Sequence, residues 1–183
     1  MKLIIKIAGI VIVLSIVIGV VLPTNNSYAH HADLSTTLYQ YERYIEEERY
    51  DKAYQLILQH EKELTDWFTN QTTGIATEEL LSALRFNKTI IKDATKPKSL
   101  KLKHAQSLVI AGNALNNLNS PILSRWQEDI GKSILASIES NQQLTDKVIE
   151  EIVLNWNVIK PAVAVATEED TFIELNNNFK GLS

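Results

Sequence analysis

The chain has 183 residues with 22 acidic and 18 basic side chains, and its formal net charge is −4. This negative balance argues against general nucleic-acid binding, because a phosphate backbone demands a cationic surface. Cysteine is absent, which excludes disulfides and thiolate zinc sites and leaves packing alone to stabilise the fold. The length supports one domain, or one domain with a targeting segment.

The N-terminus has the order of a secretory signal. Lys2 and Lys6 precede a continuous, mainly apolar run from Ile7 to Leu22, and small residues then lie two apart at Ser27 and Ala29. Signal peptidase requires that spacing, so we predict cleavage after Ala29. The alternative is that residues 1–29 are retained as an N-terminal membrane anchor, because the apolar run approaches the roughly 20 residues that span a bilayer.

Both alternatives place residues 30–183 outside the cytoplasm, because the lysines keep the short N-terminal side cytoplasmic. We therefore expect an exported protein, either held at the outer face of the cytoplasmic membrane or secreted. Removing residues 1–29, which contain two lysines and no acidic residue, leaves 154 residues with a net charge of −6. That length can bury a real hydrophobic core.

Helical spacing of apolar residues dominates the first half of the exported part. We expect the second, third and fourth helices to begin near Asp51, Thr77 and Ser99, which are N-cap residue types. The stripes of the first two helices are Leu34, Leu38, Tyr41 and Ile45, then Ala53, Ile57, His60, Leu64, Trp67 and Phe68. Those of the next two are Leu80, Leu84 and Ile91, then His104, Leu108, Ala111, Leu115 and Leu118.

The same spacing continues to the C-terminus. Ser120 and Pro121 predict the start of a fifth helix, because proline at the first helical position loses no hydrogen bond. Pro161 is expected to end or kink a sixth helix, and a last short helix should follow Thr167. Their apolar residues are Ile122, Trp126, Ile130, Ile134 and Ile138, then Val148, Ile152, Trp156 and Ile159, then Phe172, Ile173 and Phe179.

These patterns predict an all-α domain, an antiparallel bundle or array of six or seven helices. The turn region at 47–56 is similar to that of a tetratricopeptide-type helix pair, in which a small residue such as Ala53 lets two helices approach closely. Only one such unit is visible, whereas repeat arrays need about three. We interpret it as a single helical hairpin.

No catalytic, cofactor-binding or metal-binding motif occurs in the sequence. His60 and His104 lie on apolar stripes, where a hydrogen-bonded histidine at the core edge is the ordinary interpretation. The paired histidines at 30 and 31 are a weak metal signal. We therefore expect neither enzyme activity nor a cofactor.

One charge feature stands out from this acidic chain. Basic residues gather around the connection before the fourth helix, with Asp93 as the only acid among them. The members of this candidate interaction surface, here called the basic cluster, are Arg85, Lys88, Lys92, Lys96, Lys98, Lys101 and Lys103. It could contact anionic lipid headgroups, wall teichoic acid or an acidic protein. The acidic residues from Glu42 to Glu48 are a second candidate contact.

Three short stretches of the exported part resemble the YpjB family of sporulation proteins from endospore-forming Bacillus-type bacteria. They are RYDKAYQLI at 49–57, AGNAL followed by SP and WQE between 111 and 128, and WNVIKPA at 156–162. The resemblance implies a role in spore formation and supplies no catalytic residues. Family members usually carry a second apolar span near the C-terminus, which residues 176–183 do not form.

The function expected from the sequence is a non-enzymatic interaction or scaffold module at the membrane. One alternative is an envelope enzyme with a site assembled only in three dimensions, in which His60 or His104 would lie beside a buried carboxylate. Another is a small-ligand protein with a pocket lined by the three tryptophans, Trp67, Trp126 and Trp156.

Overall fold

The computed structural model describes residues 28–116 and 146–181, with side chains from residue 34 onward. All regular structure in these ranges is α-helical, which confirms the predicted all-α class. The helices are α1 (Tyr28–Glu46), α2 (Tyr50–Gln71), α3 (Gly74–Lys92), α4 (Lys98–Leu115), α5 (Asp146–Ala166) and α6 (Glu169–Lys180).

Two predicted segments cannot be compared with the structure. Residues 1–27 of the predicted signal or anchor, and the predicted helix that follows Ser120, lie outside the described ranges. Among the helices that are described, none is both long enough and apolar enough to cross a membrane.

A tight hairpin joins α1 to α2 through residues 47–49. The Arg49 backbone N–H donates to the Tyr44 carbonyl at 2.7 Å, and Glu48 has a φ of 59°, which reverses the chain. The small residue Ala53 is fully buried at the start of α2, as the similarity to a tetratricopeptide turn predicted. The hairpin therefore packs closely just after its turn.

Helix α4 lies at the centre of the array and packs against α1, α3 and α5. Residues 107–113 are all buried, so this part of the helix is enclosed on every side rather than along one stripe. Side chains of α1 supply hydrogen-bond partners for polar groups in the buried C-terminal part of α4. The Asn113 amide donates to the Tyr39 hydroxyl at 2.9 Å. The predicted stripe through Leu108 and Ala111 is buried, but it describes only part of the contact surface.

A buried polar pair links α1 to α3. The Tyr41 hydroxyl donates to the Asn87 Oδ1 at 3.2 Å, and the Asn87 amide donates to the Ala83 carbonyl at 2.9 Å. Burial raises the pKa of Tyr41, so the phenol stays protonated as a donor. This pair satisfies polar groups that would otherwise be costly inside the core.

The predicted helix starts are displaced by a few residues. Helix α2 begins before Asp51, and α4 begins at Lys98, after the extended residue Pro97. Helix α3 begins at Gly74, and the Thr77 hydroxyl instead lies 2.9 Å from that of Thr72. A glycine with positive φ starts α3 earlier than the threonine and glutamate pattern indicated.

Pro161 does not end the sixth predicted helix, because α5 continues through it to Ala166. The residues after it are helical, and Pro161 to Ala164 are buried. An internal proline costs a helix about 3 kcal/mol. Packing of α5 against α3, α4 and α6 outweighs that cost.

Gly74 is a position where the backbone requires glycine. Its φ is +57°, and a Cβ placed there would lie 2.9 Å from Glu169 Oε2 at the start of α6. Gly74→Ala should therefore lower the free energy of unfolding by about 1 kcal/mol, because L-residues are strained in this conformation. Urea denaturation would measure the loss, and Gly74→Asn should lose less because asparagine tolerates positive φ. Equal stability of wild type and Gly74→Ala would contradict this account.

Candidate functional site

The members of the basic cluster lie on two helices and the connection between them. Arg85, Lys88 and Lys92 lie on α3, Lys96 lies in the connection, and the remaining three lysines lie on α4. Lys88 pairs with Glu61 at 2.5 Å, Lys98 pairs with Glu48 at 3.2 Å, and Lys103 donates to Asn155 Oδ1 at 3.2 Å. Arg85, Lys92, Lys96 and Lys98 are exposed.

Lys101 corrects the predicted surface, because only 4% of it is exposed. Its Nζ donates to the Ile91 carbonyl at 3.2 Å. That carbonyl belongs to the last turn of α3, where helical carbonyls have no partner within the helix and cations are favoured. Lys101 therefore closes the C-terminus of α3 from the neighbouring helix instead of facing solvent.

Two tyrosines of α2 hold two of the lysines. Tyr50 and Tyr54 are four residues apart and so share one face of the helix. The Lys101 Nζ lies 4.3 Å from the centre of the Tyr50 ring, and the Lys92 Nζ lies 3.8 Å from the centre of the Tyr54 ring. Each contact is within the range of a cation–π interaction.

These residues surround a cavity of about 530 Å³ at the junction of α2, α3 and the α3–α4 connection. We call it the tyrosine–lysine pocket. Its lining consists of Tyr50, Asp51, Tyr54, Ile91, Lys92, Ala94, Lys96 and Lys101. Three lysines therefore face one aspartate, which gives the pocket an excess of positive charge on a chain that is acidic as a whole.

Asp93 fixes the connection beside the pocket. Its Oδ1 accepts hydrogen bonds from the Thr95 hydroxyl at 2.6 Å and the Thr95 backbone N–H at 2.9 Å. These bonds, with smaller effects from Lys96 and Lys101, hold the pKa of Asp93 below its usual value. The carboxylate thus stays charged, orders the loop and offsets part of the positive charge at the rim.

The acidic residues from Glu42 to Glu48 are spread over different environments. Burial raises the pKa of Glu42 on α1, although a hydrogen bond with Gln106 opposes the shift. Glu47 accepts hydrogen bonds from Arg49 and Arg43, which lower its pKa. The pairing of Glu48 with Lys98 brings the end of this acidic stretch beside the basic connection, so the two predicted contacts are neighbours.

Neither histidine lies beside a buried carboxylate among the described residues. His60 contacts Glu63 at 2.6 Å, but the Glu63 side chain is 62% exposed. His104 packs against Phe86, with ring centres 4.5 Å apart. Across the two described ranges, no group of three metal-ligating side chains comes together.

The burial of His104 gives a testable pH dependence. Burial first, and the Lys103 charge second, lower the pKa of His104 from its ordinary value of 6.5. A histidine pKa that is lower in the folded state contributes stability above pH 6.5, and this is lost as pH falls, because the unfolded chain binds the proton more readily. Comparing wild type with His104→Gln isolates the effect from other groups. We expect the stability difference to shrink below pH 6.5; a difference independent of pH would contradict this prediction.

The two described tryptophans are packed rather than open to a ligand. Trp67 is 3% exposed, and Trp156 is 2% exposed between α5 and α6. Trp126 lies outside the described ranges. The tyrosines of the pocket, in contrast, were not predicted as a site, although their spacing of four residues, which puts both on one face of a helix, was a visible signal.

Comparisons with known proteins identify no relative of this chain. No family model, no curated protein and no solved structure matches the chain.

Proposed function

We propose that this chain is a non-enzymatic helical interaction module that acts outside the cytoplasm in spore formation. Its docking surface is the exposed part of the basic cluster at the mouth of the tyrosine–lysine pocket. The observation that carries the proposal is the position of Lys92, Lys96 and Lys98, all exposed at the junction of three packed helices. Such a local excess of positive charge attracts anionic partners.

The fixed geometry of this end supports docking rather than a solvated charge run. Lys92 rests on the Tyr54 ring, and Asp93 and Thr95 order the connection that carries Lys96. Ordered side chains lose less conformational freedom on binding. A surface prepared in this way favours a defined contact with an anionic envelope component or an acidic protein.

The extracytoplasmic location and the role in sporulation rest on the sequence. The order of lysines, apolar run and small residues at 1–29 is that of a signal or anchor, which would place the domain at the outer face of the membrane. The three stretches similar to the YpjB family supply the link to spore formation.

The first test is genetic. A strain lacking the gene should form fewer heat-resistant spores, and the full chain should restore the count. A version without residues 1–29 should not restore it, because it stays in the cytoplasm. Normal spore counts in the deletion strain would refute the sporulation role.

The second test concerns the surface. Lys96→Glu with Lys98→Glu should abolish complementation, because it reverses two charges in the exposed part of the basic cluster. The matched control is Lys62→Glu with Lys147→Glu, which changes two exposed lysines on α2 and α5 by the same charge. Circular dichroism of both variants would check that the helices form. Full complementation by the first variant would remove the basic cluster from the proposal.

A further inference from the structure

We infer that the tyrosine–lysine pocket binds a polyol phosphate, such as a glycerol phosphate group. The inference rests on the proposed function and names the ligand of its docking surface. It is argued from the charge, donors and size of the pocket.

Lysine ammoniums provide the positive charge. Lys101 is almost fully buried, and its three N–H donors have one carbonyl acceptor, on Ile91, and the ring face of Tyr50 among the described residues. A donor is therefore left for an oxyanion in the cavity. Lys92 and Lys96 line the same cavity from its exposed side. Reduced solvent around the buried ammonium strengthens its attraction for an anion.

The donor types suit a phosphate group. A lysine ammonium binds phosphate oxygens as a compact point charge with three N–H donors. Among the described residues, the pocket lining contains three lysines. The hydroxyls of Tyr50 and Tyr54 are further donors of the kind that contact phosphates.

The size of the pocket and the carboxylate of Asp51 indicate the rest of the ligand. A cavity of about 530 Å³ is larger than inorganic phosphate requires and lies in the range of small-molecule sites. Asp51 also lines it, and an ionised carboxylate accepts hydrogen bonds from hydroxyl groups. A ligand with phosphate oxygens near the lysines and a hydroxyl group near Asp51 would contact both the basic and the acidic side chains of the pocket.

The binding test uses the full chain in nonionic detergent micelles. Glycerol phosphate is titrated by calorimetry, and backbone amide NMR shifts show whether Tyr50, Lys92 and Lys101 respond. In a second arm, the micelles are doped with phosphatidylglycerol, and diacylglycerol is the control without a phosphate. The two arms distinguish a soluble or polymeric source of glycerol phosphate from a lipid headgroup.

Three variants define the site. Lys92→Gln with Lys96→Gln should weaken binding roughly tenfold, because two partly exposed charges are removed. The control, Lys62→Gln with Lys147→Gln, carries the same charge change on other surfaces and should bind as wild type does. Asp51→Asn should lose the preference for glycerol phosphate over inorganic phosphate.

Saturable binding in either arm, with shifts at the pocket and loss only in the pocket variant, would support the inference. Equal weakening in the control variant would overturn it, because binding would then follow net charge. Absence of binding in both arms would also overturn it. If the genetic test of the surface nevertheless succeeded, the proposed function would stand with an anionic partner other than a polyol phosphate.

Discussion

Trp156→Ala should lower the free energy of unfolding by about 3–5 kcal/mol. The indole is 2% exposed and stacks on Phe179, with ring centres 4.3 Å apart. It also stacks with Phe172, with ring centres 6.2 Å apart, and its Nε1 donates to Asn176 Oδ1 at 3.3 Å. All three partners lie on α6, so truncation removes a buried contact between α5 and α6.

Urea denaturation followed by circular dichroism would measure the loss. Ile173→Ala on the same helix is the control, because this side chain is 39% exposed and should cost less than about 1 kcal/mol. Limited proteolysis should release α6 from the Trp156→Ala variant first. A loss no larger than that of the control would contradict the assigned role of this stack.

Gly112→Leu should destabilise the chain by about 3 kcal/mol, at the upper end of the range for overpacked cores. A Cβ at Gly112 would lie 2.9 Å from Leu38 Cδ1 and 3.2 Å from Trp67 Cη2. The glycine therefore lets α4 approach Leu38 of α1 and Trp67 of α2 more closely than a large side chain would permit. The free energy of unfolding from urea titration is the measurement.

Gly112→Ala distinguishes crowding from other effects. Alanine gains about 1 kcal/mol of helix propensity over glycine, which should offset most of the cost of moving the Leu38 methyl group. Gly112→Leu combined with Leu38→Ala should be less damaging than the sum of the two changes, because the truncated side chain frees the contested space. Additive effects of the pair would show that crowding against Leu38 is not the cause.

Periodicity predicted the local part of the fold well. Leu38, Tyr41 and Ile45 on α1 and Ile152, Trp156 and Ile159 on α5 are buried as their spacing indicated. Helix starts and ends were predicted less well, because the positive φ at Gly74 and the helical continuation at Pro161 depend on the packing of distant segments.

The candidate site shows the same division between local and long-range information. Clustering in sequence identified the lysines, but it could not tell that Lys101 would close the end of α3 or that Lys88 would pair with Glu61. Those contacts require α4 to pack against α3. They also require α2 to lie beside both of these helices. The role of Tyr50 as a wall of the pocket depends on the same arrangement.

The enclosure of α4 also limits how its length can vary. Deleting or inserting one residue in an α-helix turns everything beyond the change by about 100°. A helix with one buried stripe can accommodate such a change by rotating or by shifting the change into a loop. Helix α4 packs against several neighbours, and its segment 107–113 is fully buried, so no rotation restores its contacts. We expect single-residue insertions to be tolerated in the α3–α4 connection and to abolish folding within that segment.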